Sequence, residues 1–113
     1  MFRKVIEAAA AALRVPLMPA PARGGAPCAT YVWQPGTPEG AGERAVLTVR
    51  VFAPVLADAE AELARLTAAL ATDGDRGALA DGEIVIRAAG AGASGHVRAA
   101  GLYYMTARYD VRG

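Results

Sequence analysis

At Pro54 the apolar pattern of this chain changes period, and that change limits the folds open to it. Upstream, residues 45–53 alternate: Leu47, Val49 and Val51 share one side, and Val46, Thr48, Arg50 and Phe52 the other. A period of two is a strand with the first side buried and the second mixed. Downstream, Leu56, Ala59, Leu63, Leu66 and Leu70 recur at helical intervals, with Asp58, Glu60 and Glu62 in the first turns, where the helix dipole favours negative charge, and Asp73-Gly74 as the expected stop. A half-buried strand feeding an amphipathic helix calls for a helix layer packed on a sheet.

The rest of the chain fits that frame. Phe2, Val5, Ile6, Ala9, Ala10 and Leu13 predict a first helix that Pro16 stops. Residues 15–27 contain Pro16, Pro19, Pro21 and Pro27 with Gly24 and Gly25, and read as an extended crossing with little regular hydrogen bonding. The aromatic, β-branched run 28–33 predicts a strand, paired with 45–53 across a long loop. Residues 83–87 predict a third strand and 102–111 a fourth, with Tyr103, Met105, Ala107, Tyr109 and Val111 on one side and Tyr104, Thr106, Arg108 and Asp110 on the other. Between them, 88–101 is nearly all Ala and Gly and reads as a loop. At 113 residues one core is the expectation. The fold class is therefore α+β: a single domain, 1–113, with a four-stranded, largely antiparallel sheet and two helices packed on one face.

Chemistry is scarce. The chain has one Cys (Cys28), one His (His96), one Ser (Ser94), one Lys (Lys4) and no Asn. Catalysis needs nucleophilic and titratable groups in mutually activating sets, so the sequence points away from an enzyme and from any cofactor or metal. Residues 90–95 satisfy G-x-G-x-x-G, but they lead toward a strand, whereas a dinucleotide fingerprint must open a helix. Ser94 and His96 stand two residues apart with no orienting Asp beside them and read as a solvated tip. Asp58, Glu60 and Glu62, and the group Asp73, Asp75 and Asp81, read as ordinary surface. Cys28 reads as a buried structural thiol, and one Cys cannot form an internal disulfide, which fits a reduced, intracellular setting. Residues 1–13 resemble a signal peptide superficially, but Glu7 interrupts the apolar run, and no stretch is long enough to span a bilayer. Eleven of the twelve basic residues are Arg, a bias that a GC-rich genome produces by itself. The signs are interspersed along the chain and the net charge is +1, so nucleic acid is not an expected partner.

Element order and strand texture carry one resemblance. The features are the helix from Phe2 to Leu13, the crossing that ends in Ala26-Pro27-Cys28 before the strand 29–33, the strand 45–53, the Leu-striped helix after it, and the closing run 103–111 from Tyr103-Tyr104-Met105 to Tyr109-Asp110-Val111. Together they cover nearly the whole chain, which resembles the tail terminator, or minor tail and tail-completion, proteins of long-tailed bacteriophages and phage-like particles. The resemblance implies a structural protein of the virion tail, assembled in the host cytoplasm. It implies a homo-oligomer, a hexameric ring that caps the head-proximal end of the tail tube and ends tube polymerisation. The tube protein and the head-side connector are its implied partners, with no membrane and no sequence-specific nucleic acid. Arg50, Phe52, Tyr104, Arg108 and Trp33 are the candidate assembly interface, and the loops 34–44 and 88–101 are candidates to order on docking. The alternative is a small-molecule-binding or regulatory module with a pocket lined by Trp33, Tyr31, Phe52 and Tyr104.

Overall fold

A computed structural model describes residues 1–37, 42–71, 76–79 (backbone only), 83–89 and 92–113. In chain order the elements are α1 (Phe2–Ala12), β1 (Leu17–Pro19), β2 (Cys28–Pro35), β3 (Arg44–Ala53), α2 (Leu56–Leu70), β4 (Arg76–Leu79), β5 (Ile84–Ala88), β6 (Ser94–Val97) and β7 (Leu102–Arg112). Asp73, Gly74, Asp75, Asp81, Gly90 and Ala91 lie outside the described residues, as do 38–41 of the β2–β3 connection.

The class is α+β with two helices, but the sheet is larger than four strands. Six strands run in the order β1-β2-β3-β7-β5-β4, and β6 pairs with β7. The expected strands are β2, β3, β5 and β7; β1, β4 and β6 enlarge the sheet, and β1 makes it mixed because it pairs with β2 in parallel. Proline hid β1. The pairing draws its donors from non-proline positions, Ala29 N–H to Pro16 O at 2.8 Å and Ala20 N–H to Tyr31 O at 3.0 Å, and Pro19 sits on an edge strand where a missing donor costs nothing.

The glycine-rich segment also differs from its expected loop. β5 and β6 pair with the same edge of β7: Ala88 stands opposite Tyr109 and Ser94 opposite Met105, so six steps along one chain answer four along the other. The register along β7 thus shifts by two residues, and the described residues on either side are held by hydrogen bonds from Ala89 N–H to Arg108 O and from Thr106 N–H to Ala93 O, both 2.8 Å. Gly92 is required there, since a Cβ would overlap the Thr106 carbonyl oxygen. The true turn is 98–101, closed by Gly101 N–H on Arg98 O at 3.2 Å, with Gly101 at φ +64°. Ala and Gly carry little strand propensity of their own, and pairing with β7 supplies what they lack.

Every second residue of the central strands faces the helices. Ala45, Leu47, Val49, Val51 and Ala53 of β3 are buried, with Tyr109 and Val111 of β7, Ile84 and Ile86 of β5 and Ala29 of β2 beside them. α2 lies over this face through Ala59, Leu63, Leu66 and Leu70, and α1 packs beside α2 through Val5, Ala9 and Leu13. Two polar contacts hold the layers in place. The Tyr109 hydroxyl meets Thr67 Oγ1 at 2.8 Å and ties α2 to the sheet. Glu62, expected on the surface, is buried: its Oε1 accepts the Arg14 N–H at 2.8 Å just past α1, and its Oε2 lies 3.2 Å from Arg65 Nε. One carboxylate thus joins the end of α1 to α2, in a position its spacing alone marks as a dipole partner.

Burial raises the Tyr109 hydroxyl above its ordinary pKa of 10.0, partly offset by the Thr67 hydrogen bond. A group raised on folding contributes stability that is complete below its unfolded pKa and lost as pH rises through the folded one. Denaturant melts should therefore show stability falling above about pH 10, and Tyr109→Phe should remove that alkaline component while costing about 1 kcal/mol at neutral pH. Gly92→Ala should cost at least ~2 kcal/mol in the same assay, because the backbone at Gly92 or Thr106 must move to admit the Cβ.

Candidate functional site

The alternation that buries one side of the sheet leaves the other side bare. Cys28, Thr30, Val32 and Gln34 of β2, Val46, Thr48, Arg50 and Phe52 of β3, Tyr104, Thr106, Arg108, Asp110 and Arg112 of β7, and Val85 and Arg87 of β5 point away from both helices. Thr30, Thr106 and Cys28 are shielded by their neighbours, whereas Val32 is 44% exposed and Arg50, Arg87, Arg108 and Arg112 are exposed.

Four of the five candidate interface residues meet on this face. Arg50 Nε donates to Thr106 Oγ1 at 3.1 Å, and its guanidinium carbon lies 4.7 Å from the centre of the Tyr104 ring. Phe52 stands directly opposite Tyr104 with ring centres 6.2 Å apart. The Tyr104 ring also lies across Gly95, its cross-strand partner, and covers the backbone that a glycine leaves open. Tyr104 is thus held between Arg50 and Gly95 within its own subunit. Arg108, opposite Thr48, is the next residue outward on β7 after Thr106 on the same side.

Trp33 does not join them. It faces the helix side, where Phe2 packs on it with ring centres 5.2 Å apart and on Tyr31 edge-on at 5.9 Å. A pocket shared by Trp33, Tyr31, Phe52 and Tyr104 therefore does not form, because odd and even strand positions place the two pairs on opposite faces.

The remaining candidates for chemistry stay apart. Ser94 and His96 share one side of β6 but stand a two-residue rise apart, and His96 stacks on Tyr103 with ring centres 4.6 Å apart. Among the described residues no group of three His, Cys, Asp or Glu is placed to hold a metal. No helix of the described residues is long and apolar enough to cross a membrane.

Two surface features escaped the sequence. Among the described residues the exposed large apolar side chains, Val32 opposite Thr48 apart, gather at the two ends of β3. Phe2, 39% exposed, lies with Trp33 near its start, while Tyr103 (37%) and Val97 (37%) lie by Ala53 at its end, and Val55 (53%) follows Ala53 by two residues. In addition, among the described residues Arg44, Arg50, Arg87, Arg108 and Arg112 occupy one sheet face with Asp110. Neither feature has a local signal, since each depends on which strands become neighbours.

Comparison with known proteins finds no matching family model, and neither the curated proteins nor the solved structures yield a match.

Burial also pushes the Cys28 thiol above its ordinary pKa of 9.0. A disulfide reagent should label it many-fold more slowly in the folded protein than after denaturation, and equal rates in the two states would show the thiol to be accessible.

Proposed function

We propose that this chain is a non-enzymatic assembly protein of a phage-type tail: copies join head to tail into a ring, expected to be a hexamer, that caps the head-proximal end of the tail tube. The ring ends tube polymerisation and offers its other side to the head-side connector, as a component of the virion tail assembled in the host cytoplasm. The resemblance in element order supplies the identity of the assembly.

The observation that supports the reading best is the distribution of exposed apolar residues. A ring requires two different surfaces on each subunit, one to give and one to receive, because a heterologous contact joins unlike patches. This domain measures 46 × 25 × 22 Å, and of its exposed large apolar side chains only Val32 stands beside the middle of the central strand; the others lie at its two ends, Phe2 with Trp33 at one and Val55, Val97 and Tyr103 at the other. Among the candidate interface residues, Trp33 belongs to the first of these patches. Arg50, Phe52 and Tyr104 are engaged with one another, so Arg108 is the member of the sheet-face group left to meet a neighbour.

Light scattering with and without assembled tail tubes, followed by electron microscopy, tests the reading. A closed ring, or a cap at one end of each tube, is the expected outcome. Phe2→Asp should abolish it without unfolding the domain, since that side chain is 39% exposed. A monomer that ignores tubes at high concentration would sink the proposal.

A further inference from the structure

Glu62 stands where an apolar residue belongs. It lies on the buried stripe of α2, three residues after Ala59 and four before Leu66, and is 4% exposed. Its Oε1 accepts the Arg14 N–H at 2.8 Å. Its Oε2, 3.2 Å from Arg65 Nε, is out of line for a hydrogen bond, and no other donor reaches it among the described residues. A carboxylate buried this incompletely costs stability that a leucine there would not, so packing alone gives no reason for it. Its one aligned hydrogen bond goes to the residue that follows the C-cap of α1.

α1 depends on outside contacts to stay in place. It has 11 residues, too few to hold a helix in water by themselves, and no side-chain cap at its start, where Arg3 and Lys4 stand at the positive end of its dipole. Its alanines, 8–12, favour a helix but bury little area against a neighbour. Val5 and Ala9 are its fully buried residues, with Leu13 just past its end. Lys4 meets Glu83 at 3.5 Å in an exposed pair of small worth, and Phe2 at the far tip lies on Tyr31 and Trp33. The layer beneath is held independently, since α2 covers β3 and β7 through Leu63, Leu66 and Leu70 and the Thr67–Tyr109 hydrogen bond. From Pro16 onward the chain is fixed to the sheet, because the Pro16 carbonyl accepts the Ala29 N–H at 2.8 Å.

We propose that α1 is a strap that swings off the sheet as a unit about residues 13–15, with Glu62 as its latch. The latch sits at the pivot, where one hydrogen bond fixes the direction in which the helix leaves the sheet. Opening parts Phe2 from Tyr31 and Trp33 and bares the helix-side surface of β2. The apolar patch at the start of β3 therefore exists only in the closed state, while the core under α2 stays intact in both. Control of ring assembly by the latch follows from the ring reading and rests on it; the strap itself does not.

Native-state hydrogen exchange of the full chain tests it. Amides of residues 6–13 should exchange roughly a hundredfold or more faster than those of β3, through an opening smaller than global unfolding. Glu62→Ala should speed α1 exchange a further roughly ten- to hundredfold, and Glu62→Gln, which keeps an acceptor for Arg14, should fall between it and the native chain. Tyr109→Phe, whose lost hydrogen bond lies outside the strap, should speed exchange in β3 and leave α1 as it was. Trp33, the one tryptophan, reports the same event, and acrylamide should quench it more in Glu62→Ala. Any of three results would overturn the proposal: α1 and β3 exchanging at one rate in the native chain, Tyr109→Phe speeding both alike, or Glu62→Ala leaving α1 and Trp33 unaffected. A chain that ignores tail tubes yet shows these rates overturns the assembly reading and supports the strap.

Discussion

The structure depends on keeping water from one face of β3. Leu47, Val49 and Val51 are fully buried, and the one element that follows directly on β3 in the chain, α2, is the one that covers them. Each such side chain is worth on the order of 1.5–3 kcal/mol, so the strand and the helix stabilise only as a pair. The remaining parts extend that contact: α1 widens the helix layer, β7 extends the buried face with Tyr109 and Val111, and the Thr67–Tyr109 hydrogen bond fixes how α2 lies across it.

A two-layer fold has a second consequence, a sheet face with no helix on it. A strand with one buried side must turn its other side outward, and in this chain that side carries arginine, threonine and two aromatics. Cross-strand contacts consume part of it. Arg50, Tyr104 and Thr106 contact one another, and Tyr104 covers Gly95, within the subunit.

The strands β2, β3, β5 and β7 and both helices were legible because each carries its own period, two or 3.6, over enough residues to stand above noise. β1 and β6 carry none. One is interrupted by Pro19 and the other consists of Ser, Gly, His and Val, so their strand state comes from their neighbours β2 and β7. The register shift between β5 and β6 was hidden for the same reason, since register is a property of two strands and not of one. Glu62 was misread because helical spacing shows which face a residue shares but not whether another helix ends against it.

What the sequence determined by itself was the set of periodic elements, the poverty of catalytic groups and the side of each long strand that must be buried. Only the tertiary structure decided the strand order, and with it everything that requires two distant segments to meet: the parallel edge strand, the buried Glu62, the separation of Trp33 from Phe52 and Tyr104, and the gathering of five arginines on one face. The physical reason is that local pattern records the burial of each residue, whereas charge clusters, hydrogen bonds and surface patches record adjacency, and adjacency across a sheet is set by pairings between residues far apart in the chain.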